Sequence, residues 1–531
     1  MSTVKRIANN ISLMLGVQLA SYGMNFLFTM VVARYLGAAQ FGMLSFALAY
    51  TGILSTFADV GIRKIQIRDM ARQPGAIGDY FGRILFLKAL LLAVVFVITA
   101  AGVSLTGYAD TTKSLVYVLA LAVVFDGLSQ SLYAVFQSQD TFKYESAGQV
   151  FRALFLLTGA WICLRAQLPM IAIARLYLMN GILIFLYCAT VYYRKYSWPV
   201  IQLDGPFLWS KLRDAIPFGL VGAFEMVYHG LDTVLLSVMQ GDAVVGWYNA
   251  GYRIYMALLF IPSTVSIVVF PVMSRFHQSS EESLRTLRMK CFKYLTIIGV
   301  LLAGLVAVYA DVVVVLAFGA GYAASGRALQ ILMLSFLLIS INGAFIQVLA
   351  STDRQVGIMK ICGLAAAINV VLNMILIPRF SYVGSATAAV ISELWITVGS
   401  IGMVSKTMYR VPLRVMGWHL LKLLGAAAAG GLCLAAFRSV IPWPVNMGLA
   451  SLIYLGGVWV TRAWDREDFL LFREAIQGRF LDSALRTGYT QAPAIIHPSD
   501  EKKFSQRYLK CSRDFPPQAD PPAATNRIIR I

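Results

Sequence analysis

The sequence predicts an all-α polytopic membrane protein of about fourteen transmembrane helices, built as two six-helix lobes in parallel pseudo-two-fold arrangement plus two C-terminal helices. Three observations predict it. Hydrophobic residues make up 58% of the chain and charged residues 13%, with a mean hydropathy of +0.70, whereas an ordinary soluble domain carries about 25% charged residues. Apolar runs of about 20 residues, enough to cross a hydrocarbon core about 30 Å thick, recur along almost the whole chain. The two halves also repeat one glycine pattern within a matched order of spans.

In order, apolar runs bounded by charge, Gly or Pro place spans at 11–33, 41–60, 84–105, 114–136, 147–166 and 170–193. A polar, basic connection over 194–214 follows, and six more spans fall at 215–239, 244–273, 291–318, 328–350, 356–377 and 382–404. Two further spans at 416–440 and 446–464 precede a polar tail with a Pro-rich run at 515–522, a composition with too little apolar surface to order itself. The predicted organisation is an N-terminal lobe over 1–200, a second lobe over 201–410, an additional helical pair over 411–465 and a partly disordered tail over 466–531. Lys5 and Arg6 ahead of the first run imitate a secretory signal. The run 11–33 is too long for an h-region, so it reads as an uncleaved first span.

A formal net charge of +19 would point to nucleic acid in a soluble chain. Here the cations cluster between alternate spans, as in Arg63, Lys64, Arg68, Arg72 and Arg83, or Arg275, Arg285, Arg288, Lys290 and Lys293. Cytoplasmic loops are enriched in Lys and Arg, so the N-terminus is placed inside, and an even number of spans returns the C-terminal tail to the cytoplasm. The six cysteines show no CxxC or metal-like spacing and read as small apolar fillers; no metal and no cofactor is expected. Walker A, H-E-x-x-H and G-x-S-x-G sequences are absent and every predicted outer connection is short, which leaves no place for a catalytic lobe and argues against an enzyme.

The internal repeat is specific in its spacing. Leu36-Gly37 is followed five residues later by Gly42, and Gln240-Gly241 is followed five residues later by Gly246. Each pair falls in a tight outer hairpin that leads into a long span and then a basic segment. Both hairpins run the same way, so the repeat is parallel and its axis stands along the membrane normal.

Three stretches carry a resemblance to a known family. They are Ala33-Arg34-Tyr35-Leu36-Gly37 through Phe41-Gly42, Phe57-Ala58-Asp59-Val60-Gly61 and Asp69-Met70-Ala71-Arg72; Asp232 with Val245-Gly246-Trp247-Tyr248-Asn249-Ala250, Arg253, Ile261-Pro262 and Phe270-Pro271; and Ile377-Pro378-Arg379-Phe380 with Val383-Gly384-Ser385-Ala386-Thr387-Ala388 and Glu393. Over roughly the first four hundred residues the chain resembles the polysaccharide-type flippases of the MOP superfamily, including Wzx-type oligosaccharide-lipid flippases related to MATE exporters. The resemblance implies alternating access around a central cavity and an undecaprenyl-diphosphate-linked glycan as cargo for surface polysaccharide synthesis. It also implies the bacterial inner membrane as location, with an ion gradient as candidate drive. Membrane lipids are the expected surroundings, a polysaccharide polymerase and export machinery are candidate protein partners, and no nucleic acid is expected. A MATE-like drug exporter and a membrane scaffold for glycan assembly are the alternatives.

Charged groups inside spans cost at least about 2.5–3.5 kcal/mol on insertion scales, so they usually face protein or a wet cavity. Glu225, His229 and Asp232 recur at helical spacing on one face of the seventh span and are the ion-coupling candidates. Arg253, in the eighth, offers a guanidinium that matches a diphosphate, with Asn249 four residues before it on the same face. Asp59 and Arg63, one turn apart at the inner end of the second span, form a candidate headgroup site or a local ion pair. Gln149, Arg152 and Gln347 complete the substrate-binding candidates, and Asp126, Asn342 and Glu393 are further cavity candidates, with packing hydrogen bonds as the alternative role of each.

Overall fold

The computed structural model describes residues 3–72, 77–196, 204–407, 411–437 and 439–464, with side chains from Gly16 onward except Pro217, Leu220, Val221 and Glu225. All fifteen helices described here fall in one compact unit, Met1–Val460; of a second unit, Thr461–Ile531, only a turn at 461–464 is described. The predicted tail over 466–531 lies outside the described residues.

Eleven described segments are helical, long and apolar enough to cross a membrane. Two helices, α1 (Thr3–Asp59) of 57 residues and α13 (Gln355–Ser405) of 51, are far longer than one crossing needs. Each is folded at a single non-helical residue, Gly37 in α1 and Ser381 in α13, and so supplies two crossings. Pro378 just before the second break removes a helical hydrogen bond there. Single crossings come from α3 (Ile77–Ser104), α4 (Asp110–Ser138), α5 (Phe142–Arg165), α6 (Ile171–Lys195) and α7 (Gly205–Gln240). The run α8 (Asp242–Leu258) and α9 (Phe260–Ser279) makes one more, broken where the Pro262 ring meets the Leu258 carbonyl four residues back. The remainder are α10 (Glu281–Val308) with the short α11 (Ala310–Phe318), then α12 (Ser325–Ser351), α14 (Leu413–Phe437) and α15 (Trp443–Val460). Fourteen crossings result, as the hydropathy pattern predicts. A short helix, α2 (Ile62–Arg72), joins the second crossing to the third.

The repeat is visible in the backbone. Gly37 has φ 71° and ψ 172°, and Gly241 has φ 89° and ψ 171°, so both hairpins turn through the same left-handed conformation that a Cβ disfavours. The turns then pack on each other reciprocally: a Cβ on Gly42 would overlap the Asp242 carbonyl oxygen, and one on Gly246 would overlap that of Ala38. Exchanging 38 with 242 and 42 with 246 leaves the contact unchanged, which is what a two-fold axis between the hairpins requires. A second reciprocal pair closes the same end. Tyr108, after α3, donates to Ser237 Oγ of α7 at 3.0 Å, and Tyr322, after α11, donates to the Ala33 carbonyl of α1 at 2.7 Å. Arg34 adds to this seal by donating to the carbonyls of Leu316 and Ala317 at the end of α11.

Because no side chain fits between the turns, Gly246→Ala is expected to destabilise the fold by about 1–3 kcal/mol through overpacking. Gly304→Ala on α10, where a Cβ meets open space, is expected to be neutral or stabilising. Thermal unfolding of the two purified variants in one detergent tests this; equal melting temperatures would contradict it.

At the opposite end, which carries the basic segments, α2 and α3 meet the start of α7. Asp204 caps α7 by accepting from the Phe207 N–H and also pairs with Arg83 at 3.0 Å. Asp69 binds Lys211 at 2.6 Å and accepts from the Tyr80 hydroxyl at 3.0 Å. The last two helices pack on each other and dock on α10, where Tyr454 donates to the Ile297 carbonyl and Asn446 donates to the Tyr309 hydroxyl.

Candidate functional site

The N-terminal lobe carries a ladder of charge along its crossings. Nearest the basic end, Arg63 on α2 donates to Gln130 at 2.6 Å and pairs with Glu145 on α5 at 3.1 Å. Gln137 and Gln149 also donate to Glu145. Further in, Lys88 on α3 is 3% exposed and pairs with Asp59 at 2.5 Å. Deeper still, Arg152 on α5 pairs with Asp126 on α4. Several of these groups keep substantial surface, 32% for the Arg63 side chain, 40% for Asp59, 29% for Arg152 and 37% for Asp126. Charge at these depths faces protein or water rather than lipid, so these part-exposed side chains mark a polar path from the basic end into the lobe.

Asp59 and Arg63 do not pair with each other, contrary to the local ion pair their spacing allows. Val60 at φ 43° and Gly61 at φ 79° break the chain between α1 and α2, and a turn-to-turn contact needs a continuous helix. Gln149 and Arg152 join the same lobe surface, whereas Gln347 is half-buried on α12, and among the described residues no hydrogen bond ties it to them.

Arg253 reaches the N-terminal lobe from the other side. It is half-buried on α8, about 16 Å from that helix's start at 1.5 Å per residue, and lies within electrostatic reach of Tyr177 on α6. Its Nε is buried without a hydrogen-bond partner, and among the described residues no carboxylate pairs with it. The cations Arg63, Lys88 and Arg152 each have a carboxylate beside them; Arg253 adds a positive charge with none. Asn249 does not accompany it. It is 5% exposed, exchanges hydrogen bonds with Thr233 on α7 and donates to the Val245 carbonyl, one turn closer to the hairpin where α7 closes on α8.

The second lobe holds a buried polar core instead. His229 Nδ1 lies 2.9 Å from the Tyr252 hydroxyl. Asp232, 3% exposed, accepts from the Tyr248 hydroxyl and from Asn373 Nδ2, both at 2.8 Å. Glu393, 4% exposed, repeats the pattern: Tyr228 donates at 2.9 Å and Asn342 at 2.8 Å. Each carboxylate thus has one tyrosine and one asparagine as neutral donors, and among the described residues no salt bridge reaches either. The Glu225 side chain lies outside the described residues, so its predicted place beside His229 and Asp232 has no structural counterpart here.

Sequence reasoning missed Lys88, Glu145, Asn180 and Asn373. Two carried a signal. Lys88 is the one charge within an otherwise apolar run, and Asn369 and Asn373 stand one turn apart within another.

Comparisons with known proteins agree with this architecture. The profile of the polysaccharide biosynthesis protein family matches residues 7–277, just over half of the 531. The probable low-salt glycan biosynthesis flippase Agl15 of Haloferax volcanii is 22% identical over 388 residues, covering 70% of this chain and 77% of that one. Among solved structures, the lipid II flippase MurJ in an inward closed conformation superposes with a TM-score of 0.71 at 12% identity, over 85% of this chain and 98% of that one. An inward-facing multidrug resistance MATE family transporter of the MOP superfamily gives 0.60 at 12% identity, over 73% and 94%. At such identities these structures speak to fold alone, a two-lobed membrane bundle of the MurJ and MATE type.

Proposed function

Since this chain belongs to the polysaccharide biosynthesis protein family, a family of transporters rather than enzymes, we propose that it flips a polyprenyl-diphosphate-linked oligosaccharide across the cytoplasmic membrane by alternating access. The observation that carries this reading is Arg253, a half-buried guanidinium inside the bundle whose Nε is buried without a hydrogen-bond partner and which no carboxylate pairs among the described residues. A diphosphate supplies the missing anion, with oxygens that a planar guanidinium binds two at a time. The glycan then occupies the polar surface of the N-terminal lobe while the lipid tail stays in the bilayer.

Loading takes place at the basic end, which the distribution of Lys and Arg assigns to the cytoplasm together with both termini. Release requires opening the hairpin end, where Tyr108, Tyr322 and Arg34 hold the lobes. Asp232 is the coupling group: an ionised carboxylate buried among neutral donors is costly without a balancing charge, and a proton or monovalent cation from the gradient provides one. The MATE-like reading, export of small cations, is disfavoured by the same Arg253 charge, which repels such a cargo.

The test is reconstitution of the full chain into liposomes with a fluorescent polyprenyl-diphosphate disaccharide, scoring the fraction exposed on each face. Faster equilibration than in protein-free liposomes supports the proposal. Unchanged lipid exchange combined with gradient-driven uptake of a cationic dye would overturn it in favour of the exporter.

A further inference from the structure

Between α1, α4, α5 and α6 the N-terminal lobe holds a partly open cavity of about 170 Å³. Asp126, Arg152, Tyr177 and Asn180 line it, with Leu119 and Leu156 among its apolar walls. Asn180 is only 3% exposed, yet its buried Oδ1 has no hydrogen-bond partner among the described residues. A buried amide oxygen left unpaired costs about 1–3 kcal/mol, which a ligand hydroxyl would recover by drawing the Asn180 carboxamide round toward the cavity. Arg152 engages Asp126 through one nitrogen and one oxygen, so other guanidinium N–H groups and the second carboxylate oxygen remain outside that pair in two residues that line the cavity.

We propose that this cavity is a saccharide subsite that holds one hydroxyl-bearing ring of the cargo beside the diphosphate engaged by Arg253. The assignment rests on the flippase reading above and specifies what the N-terminal lobe recognises. Chemistry selects the ligand class. A metal ion gains little from Asp126, whose charge Arg152 already balances. A lipid chain would have to bury a half-exposed ion pair against hydrocarbon, which is costly. A sugar ring meets both demands: its hydroxyls donate to Asp126 and Asn180 and accept from Arg152, and its C–H faces lie against Tyr177, Leu119 and Leu156. Size sets the stoichiometry. The space is below the roughly 300–1,000 Å³ of a pocket for a whole small-molecule ligand, so it takes a single ring and leaves the rest of the glycan in the polar path toward the basic end.

The experiment compares two probes on the purified full-length protein in detergent, a short prenyl diphosphate and the same molecule bearing one neutral hexose. Two or three net hydrogen bonds at about 1 kcal/mol each predict a dissociation constant about 30- to 150-fold tighter for the hexose-bearing probe. Asn180→Ala is expected to bring its affinity toward that of the sugar-free probe. Asn180→Ser, which keeps a short polar group, tests the same point if alanine impairs folding. Equal affinities for the two probes in the unmodified protein would overturn the subsite and leave the diphosphate reading standing. Failure of both probes to bind would overturn that reading and the subsite together.

Discussion

Replacing Arg253 by alanine is expected to slow translocation of a prenyl-diphosphate cargo by at least about tenfold, at unchanged abundance in the membrane. Hydrogen bonds to charged groups contribute about 1.5–3 kcal/mol each, and 1.4 kcal/mol corresponds to a factor of ten. Arg253 makes no ion pair among the described residues, so the loss is expected on cargo, and the melting temperature of the purified variant checks that folding is unchanged. Arg253→Lys should fall between the two, because an ammonium keeps the charge but not the planar fork. The liposome assay with each variant decides; transport by Arg253→Ala at the rate of the unmodified protein would remove the central support for a phosphate-bearing cargo.

A second large effect is expected at Asp232. Asparagine there preserves size and an oxygen that accepts from Tyr248, while removing the charge that a proton or cation would balance. Dependence of transport on an imposed ion gradient should therefore vanish in Asp232→Asn, a drop of about tenfold or more in the driven rate, while the prenyl-diphosphate probe still binds. Binding and transport separate here because Asp232 sits in the buried core between α7, α8 and α13, whereas Arg253 takes no part in that core's hydrogen bonds and lies within electrostatic reach of Tyr177 on α6. A variant that still follows the gradient would show that coupling runs elsewhere, with Glu393 the next group to replace.

The crossings were legible because each needs a long apolar run, and even the two folded helices announced their breaks through Gly37 and Pro378. The parallel repeat was legible from the glycines at 37, 42, 241 and 246, since close backbone approach tolerates no side chain. Pairing within the site was not. Lys88 with Asp59, Arg63 with Glu145 and Asp126 with Arg152 each join different helices, 26 to 82 residues apart in sequence. Helical spacing states which residues share a face but not which neighbour that face meets. Asn249 shows the limit: it is one turn from Arg253, yet its partner is Thr233 on α7. The turn at Val60-Gly61 likewise redirected Arg63 to a partner no local rule could name.

The reciprocal contact of Gly42 and Gly246 bears on how such a chain can arise and insert. A unit with six crossings brings the polypeptide back to the side from which it started, so a second copy joined in tandem meets the insertion machinery in the same orientation as the first. Neither copy has to reverse its flanking charges, and a single short connector suffices to fuse them. Units with an odd number of crossings face the opposite situation, because the second copy must read its topology signals upside down. Here the signals of both halves agree, and each half brings one turn of the shared contact.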